Sequence, residues 1–191
     1  MKRALIVVDV QNDFCEGGSL PVAGGAEVAY RIGTLLHHWT AQDPKAPDYA
    51  AAVACREHHI DPGSHFSDNP DFVTSWPPHC LADPDGAAFH PNLDPQPFDA
   101  IFMKGEHSAA YSAFDGHTVE GVTLAEWLRT HEITDVDVCG IATDHCVRAT
   151  TLDAVREGFR ARVLTDLIAG VAEDTSKAAI EEMRAAGAAI S

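Results

Sequence analysis

The chain has 191 residues, of which 46% are hydrophobic, and this is enough material for one globular domain with a buried core. Its 29 acidic and 13 basic residues give a formal net charge of −16. Such a charge disfavours binding to nucleic acid or to an anionic membrane surface. We therefore expect a single domain spanning residues 1–191, which acts as a monomer or a homo-oligomer on a small molecule.

The N-terminal segment and the cysteines indicate in which cellular compartment the protein acts. The apolar run at residues 4–8 stops at Asp9 and is too short for a signal peptide or a membrane span. The five cysteines are an odd number and include no C-x-x-C pair, which fits reduced thiols better than a disulfide framework. These features predict a cytoplasmic protein.

Short apolar runs rich in Val and Ile alternate with amphipathic stretches along the chain. The short runs predict buried strands at residues 4–9, 49–55, 100–104, 135–141 and 160–166, with a short edge strand at 188–190. The amphipathic stretches predict helices at residues 27–40, 124–131, 144–157 and 175–186, the last capped by Asp174 or Thr175 and stopped by Gly187. This alternation predicts a three-layer α/β/α fold around a mostly parallel, doubly wound sheet of roughly six strands.

A long irregular segment, at about residues 56–98, interrupts this alternation. It is rich in Pro, Asp and His, and a loop of such length inside a compact domain usually has a function. It contains one carboxylate and three imidazoles that together suit Zn, Fe or Mn, namely Glu57, His59, His65 and His79. Solvent-exposed histidines are the alternative, because the spacing is not a standard zinc signature. In an extended backbone His58 points away from its neighbours, although a kinked loop would bring it in.

Cys146 stands where an apolar segment ends and a helical pattern begins. The first turn of a helix offers unpaired N–H groups and the positive end of the helix dipole, which favour the thiolate. Asp144 would be a suitable N-cap for this helix. The position predicts a nucleophilic cysteine.

Asp9 and Lys104 each end a predicted strand, and ligands of such sheets bind beyond the carboxyl ends of the strands. Asp9 could be a carboxylate that faces water, and Lys104 a lysine that extends its ammonium to solvent. The functional interpretation makes Asp9 a general base with a raised pKa, and Lys104 the cation that stabilises carboxylate and thiolate. Their shared edge beside Cys146 favours this interpretation.

The remaining cysteines and several aromatic residues are each more often core residues than functional ones. Cys55 and Cys139 lie inside predicted strands and are expected to be small buried hydrophobic residues, whereas Cys15 and Cys80 lie in loops. Three aromatic residues also lie in loops, as expected of a flat pocket that holds an aromatic ring, although each alone is more often core: Phe14, Trp76 and Tyr111.

Five segments in the same order resemble the nicotinamidase/pyrazinamidase family of the isochorismatase-like hydrolases, and most closely its actinobacterial branch. They are VDVQNDFC at residues 8–15, HIDPG at 59–63, SWPPHC at 75–80, KG at 104–105 and GIATDHC at 140–146. The resemblance runs almost end to end. It implies the isochorismatase-like fold, with the segment at about 56–98 as a metal-binding loop insertion.

The resemblance also implies roles for individual residues. It implies a catalytic triad of Asp9, Lys104 and Cys146, an oxyanion hole from the N–H groups of Ala142 and Cys146, and a cis peptide bond between Ile141 and Ala142. The implied metal ligands are Glu57, His59, His65 and His79. The implied substrate contacts are Phe14, Trp76, Tyr111, Ile141 and His145.

The implied activity is the hydrolysis of nicotinamide to nicotinate and ammonia through a cysteine thioester, as a step of NAD salvage. Pyrazinamide, with one more ring nitrogen, is expected as a second substrate, and one divalent Zn, Fe or Mn ion as cofactor. The chain departs from the family at Glu57, where related enzymes usually carry aspartate. The longer stem could change the metal geometry, and Asp61 could compete for the ion.

Three other functions are compatible with parts of the sequence. Another amidohydrolase, such as an N-carbamoyl amide hydrolase, would keep the triad but would not need the three-histidine loop. A vinyl-ether hydrolase acting on isochorismate usually lacks the nucleophilic cysteine. A non-catalytic relative would bind metal or ligand without turnover, because fold alone does not imply function.

Overall fold

A computed structural model describes residues 1–82 and 85–191 of the chain. Within these residues six strands form one sheet in the order β3-β2-β1-β4-β5-β6, and every neighbouring pair is parallel. The strands are β1 (Lys2–Val8), β2 (Ala51–Glu57), β3 (Ala100–Lys104), β4 (Ile133–Ile141), β5 (Arg160–Ala169) and β6 (Ala189–Ile190). The order reverses at β1, so the doubly wound parallel sheet predicted from the sequence is confirmed.

In the described part of the chain, four α-helices cover the two faces of the sheet. They are α1 (Gly25–Thr40), α2 (Leu124–Thr130), α3 (Arg148–Arg156) and α4 (Glu173–Ala185). The side chains of β1 alternate between two cores: Ile6 packs with Leu128 of α2 and Met183 of α4, whereas Leu5 packs with Ile32 of α1. A strand buried on both faces needs the continuous apolar run that β1 shows.

Some element boundaries differ from the predictions, and one difference affects the site. β2 runs to Glu57 rather than ending at Cys55, so Glu57 lies on a strand and not in the irregular loop. β1 ends at Val8, and Asp9 follows it with a φ of +48°, a left-handed conformation that ends the strand. β5 is three residues longer than predicted and ends at Ala169.

The predicted caps of the last two helices are wrong. Residues Thr143–Val147 form a π-helical turn before α3, and no side chain caps this turn. The Asp144 carboxylate instead accepts hydrogen bonds from Val171 N, Ala172 N and Thr175 Oγ1, at 2.9, 3.2 and 2.6 Å. It therefore ties the turn that carries Cys146 to the start of α4.

The start of α4 also differs from its prediction, whereas the end agrees with it. The helix begins at Glu173, after Ala172, and neither Asp174 nor Thr175 is its N-cap. It ends at Ala185, and Gly187 follows with a φ of +107°, as the predicted stop requires. No helix in residues 1–82 and 85–191 has both the length and the apolar character that crossing a membrane requires.

Gly140 on β4 lies against β1 with no space for a side chain. Its φ is +119°, and an added Cβ would lie 2.1 Å from Val8 O. We expect Gly140→Ala to lower the free energy of unfolding by at least about 3 kcal/mol, because neither backbone strand can move aside cheaply.

The control for Gly140→Ala is Gly187→Ala, where φ is also positive but no atom lies within 4 Å of the added Cβ. This control is expected to cost only about 1–2 kcal/mol, the price of the left-handed backbone. Urea unfolding of both variants measures the difference, and equal losses would contradict the close contact as the cause.

Candidate active site

Four titratable side chains meet at the carboxyl ends of the first four strands. Asp9 follows β1, Glu57 ends β2, Lys104 ends β3, and Cys146 lies in the π-helical turn after β4. The parallel topology places these ends at one edge of the sheet, and all four residues are buried. The structure thus brings together the three residues of the predicted triad.

Lys104 is the centre of this group. Its Nζ lies 2.8 Å from Asp9 Oδ2, 3.5 Å from Glu57 Oε1 and 3.5 Å from Cys146 Sγ. Cys146 Sγ is also 3.7 Å from Glu57 Oε1. One ammonium therefore holds two carboxylates and the thiol in a single cluster.

Burial governs the proton affinities of the nucleophile and its base. Desolvation raises the pKa of the Cys146 thiol well above its ordinary value, against the opposing attraction of Lys104. The expected preference for thiolate at a helix start is therefore outweighed, and the thiol needs a base. Desolvation also raises the pKa of Asp9, although Lys104 opposes the shift, and a carboxyl with a raised pKa suits general base catalysis.

The other two members of the cluster are held in their charged forms. Burial by itself would lower the pKa of Lys104, but the facing groups Asp9 and Cys146 outweigh it and hold the pKa well above its usual range. Burial would likewise raise the pKa of Glu57, yet the attraction of Lys104 outweighs it and holds the pKa well below its usual range. Both shifts favour the charged forms, an ammonium at Lys104 and a carboxylate at Glu57.

Glu57 also belongs to a second cluster beside the first. The possible ligand atoms of Glu57, His59, His65 and His79 all lie within 4.8 Å of one another, and all four residues are buried. Glu57 Oε2 lies 2.8 Å from both His59 Nε2 and His79 Nε2. Its two oxygens therefore face different clusters, one the imidazoles and one the thiol.

The hydrogen bonds of the imidazoles fit a cation at this cluster. The Nδ1–H of His59 donates to the Gly105 carbonyl and that of His79 to the Pro77 carbonyl, which leaves both Nε2 lone pairs for the centre of the cluster. Neither ring nitrogen of His65 has a hydrogen-bond partner among the described residues, and burial lowers its pKa to about 4. Three imidazoles and a carboxylate form a donor set for a divalent metal ion.

Two residues that the sequence left open as alternative ligands lie elsewhere. His58 Nδ1 is 3.1 Å from Glu106 Oε1, and the Asp61 carboxylate accepts a hydrogen bond from Gly63 N. Both residues are outside the group of converging ligand atoms.

A cavity of about 340 Å³ opens onto both clusters. Cys146 and Ala142 line it, and so do Glu57, His65 and His79. The five residues predicted as substrate contacts all line it as well, and they are Phe14, Trp76, Tyr111, Ile141 and His145. Such a cavity is at the small end of the range for sites that enclose a small molecule.

The aromatic residues of the cavity wall hold one another in place. Trp76 Nε1 donates to the Tyr111 hydroxyl at 3.2 Å, and the Trp76 ring meets His145 edge-on at 5.1 Å between centroids. The wall also includes apolar loop residues that the sequence gave no reason to choose, because nothing in their spacing marks them: Leu20, Pro21, Val22, Phe72 and Val171.

Two residues that position the site were not predicted in that role. Gln11 donates to Glu57 O at 2.8 Å and accepts from Glu57 N at 2.9 Å, which fixes the end of β2. Gly105 has a φ of +75°, and an added Cβ would lie 2.6 Å from His59 Cε1. Both lie within the segments that carried the resemblance, but only the folded structure shows what they contact. The cis peptide bond between Ile141 and Ala142 is present, as the resemblance implied.

Comparison with known proteins agrees with the fold. The family model described as Isochorismatase domain matches residues 3–191. The nicotinamidase/pyrazinamidase of Mycobacterium tuberculosis is 55% identical over 96% of this chain and 95% of its own length.

Two solved structures share the whole fold. A crystal structure of Pyrococcus horikoshii pyrazinamidase in complex with zinc has a TM-score of 0.82 and 35% identity, covering 100% of this chain and 99% of that one. The structure of PnC1 from L. infantum in complex with nicotinate has a TM-score of 0.82 and 33% identity, with 100% and 92% covered.

A cysteine that lies with a carboxylate and a lysine beside a cavity, at the carboxyl edge of a parallel sheet, is the arrangement of a cysteine hydrolase. The chain belongs to the isochorismatase family, in the group that contains the nicotinamidases and pyrazinamidases. The resemblance seen in the sequence is thereby confirmed.

The histidine cluster gives a direct binding prediction. His65→Ala is expected to weaken Zn²⁺ binding at least about tenfold, because it removes one of four converging ligands. Equilibrium dialysis of metal-stripped protein against Zn²⁺ measures the effect. His58→Ala is the matched control and should leave Zn²⁺ affinity unchanged, since His58 pairs with Glu106. Equal weakening in both variants would contradict the assigned ligand set.

Proposed function

We propose that this protein is an amidohydrolase that converts nicotinamide to nicotinate and ammonia, and that it accepts pyrazinamide as well. The observation that carries the proposal is the cavity, because one apolar-walled space holds both the Cys146 thiol and the histidine cluster. A carboxamide at one end and a ring nitrogen at the other match these two groups. The named relatives support the same reaction.

The first half of the reaction forms a thioester. Asp9 accepts the proton of the Cys146 thiol, and the sulfur attacks the carboxamide carbon. The N–H groups of Ala142 and Cys146 receive the developing oxyanion. Asp9 returns its proton to the amide nitrogen, the C–N bond breaks, and ammonia leaves.

The second half regenerates the thiol. Asp9 takes a proton from water, the resulting hydroxide attacks the thioester carbon, and the C–S bond breaks. The sulfur leaves as thiolate and recovers the proton from Asp9. The acid product loses its own proton to solvent and is released as nicotinate. Lys104 lies 2.8 Å from Asp9 and 3.5 Å from Cys146 and keeps both groups in place. Its positive charge stabilises the negative charge that is on the thiolate in one step and on the carboxylate in the next.

The aromatic wall and the donor set explain the choice of substrate. Trp76 and Tyr111, joined by their hydrogen bond, form a flat surface with Phe14 for a planar ring. A divalent ion held by Glu57 and the three imidazoles would supply a Lewis-acid contact for the ring nitrogen. A substrate with one planar ring and no long side chain fits this space.

The same geometry weighs against the alternatives. An N-carbamoyl amide hydrolase would use the triad but would have no use for a ring-binding wall and an imidazole cluster on the same cavity. A hydrolase of vinyl ethers would have no use for the cysteine beside its base. A non-catalytic binding protein would not need a general base 2.8 Å from a buried lysine.

The experiment is ammonia release from nicotinamide and from pyrazinamide by the purified protein. The wild-type chain should release one ammonia per amide consumed, and chelation should abolish release until a divalent metal is restored. Cys146→Ala should lower turnover at least about 10,000-fold while leaving the thermal unfolding midpoint within a few degrees, because only the nucleophile is lost.

Cys139→Ala is the matched control, since Cys139 is a buried cysteine of β4 that does not line the cavity. It should turn over nicotinamide at the wild-type rate. Substantial turnover by Cys146→Ala would defeat the assigned nucleophile. No ammonia from metal-loaded wild-type protein would defeat the proposed reaction, whereas stoichiometric binding without release would favour a non-catalytic role.

A further inference from the structure

Cys55 makes a contact that its position in the sequence did not suggest. It lies on β2, is fully buried, and was expected to be a small hydrophobic residue of the core. Its thiol donates to Asp9 Oδ1, with 3.3 Å between sulfur and oxygen. The Asp9 backbone N–H also donates to the Cys55 carbonyl at 3.1 Å, so one residue contacts Asp9 at both its backbone and its carboxylate.

The two contacts fix the orientation of the Asp9 carboxylate. Asp9 follows β1 in a left-handed conformation, and the orientation of its side chain depends on its own contacts. Lys104 lies at Oδ2 and Cys55 at Oδ1, on opposite ends of the carboxylate. A rotation that turned the carboxylate plane away from these two partners would break both contacts, so the carboxylate plane has one favoured setting.

We propose that Cys55 is a positioning residue for Asp9. This inference rests on the proposed function, in which Asp9 moves a proton to and from the sulfur of Cys146. Proton transfer requires a donor and an acceptor in hydrogen-bond geometry, and small displacements of a catalytic group lower rates steeply. Cys55 acts through Asp9 only, because it does not line the cavity that Cys146 lines.

Cys139 is the appropriate comparison, because it is as deeply buried as Cys55 but does not contact Asp9. Both are fully buried, unpaired cysteines within central parallel strands. The Cys139 thiol faces the Ile6 carbonyl at 3.7 Å, in the core of the other sheet face. Truncation of either residue removes the same sulfur from a packed interior, so the loss of stability is matched while the effect on Asp9 is not.

The experiment compares Cys55→Ala, Cys55→Ser and Cys139→Ala in the metal-loaded protein. Cys55→Ala should lower kcat for nicotinamide at least about tenfold with KM within about twofold, because substrate contacts are untouched. Cys55→Ser keeps a donor for Asp9 and should recover most of kcat. Cys139→Ala should keep the wild-type kcat at a similar loss in thermal unfolding midpoint.

A second readout needs no substrate. The rate at which iodoacetamide alkylates Cys146, followed by mass spectrometry of its peptide, should fall in Cys55→Ala and recover in Cys55→Ser. If wild-type protein releases no ammonia from nicotinamide, the proposed function fails, and this alkylation rate still tests the positioning role. Should Cys55→Ala not fold, the pair Cys55→Val and Cys55→Thr repeats the comparison with the side-chain volume retained.

Two results would overturn the inference. One is a Cys55→Ala or Cys55→Val protein with the wild-type kcat and alkylation rate. The other is a serine or threonine variant that is as slow as its donor-free counterpart, which would show that packing and not the donated hydrogen bond sets the rate.

Discussion

A single buried ammonium organises the centre of this molecule. Lys104 is fully enclosed, and a lysine in that position is tolerated only with charged partners close by. Asp9 on one side and Glu57 on the other provide them, and they come from the ends of two different strands. Removing Lys104 would leave two buried carboxylates without their shared cation, at a cost of about 3–5 kcal/mol. The register of the first three strands therefore also determines where the catalytic groups lie.

Much of this arrangement could be predicted from the sequence, and the reasons are physical. The strands are short apolar runs buried on both faces, and their carboxyl ends must share an edge in a parallel sheet, so Asp9, Lys104 and Cys146 were expected together. One carboxylate and three histidines close together in the sequence are residue types that by themselves predict a metal site. Residues that act through their own functional group leave a signal in the sequence.

Residues whose role depends on a contact that forms only in the folded protein leave no such signal in the sequence. Asp144 looked like a helix cap because it precedes a helical pattern, yet its carboxylate binds a segment that begins 27 residues later in the chain. Cys55 looked like a core residue because it lies in a strand, and its thiol faces Asp9 only once β1 and β2 are paired. Glu57 was placed in the irregular segment because the apolar run stops two residues earlier, although the ladder with β3 continues to Lys104. Each depends on a partner that is distant in sequence.

The two oxygens of Glu57 have a consequence for attempts to change the metal preference of this protein. Since Oε2 faces two imidazoles and Oε1 faces Lys104 and the thiol, position 57 takes part in two pieces of chemistry at once. A redesign that shortens or neutralises this side chain to suit another ion alters the surroundings of the nucleophile in the same step. The ring of His65 packs against His59, His79 and Tyr111 and belongs to the histidine cluster alone. Substitutions that change the metal preference but keep the turnover rate are therefore expected at His65. Glu57 is constrained both by the metal site and by the nucleophile.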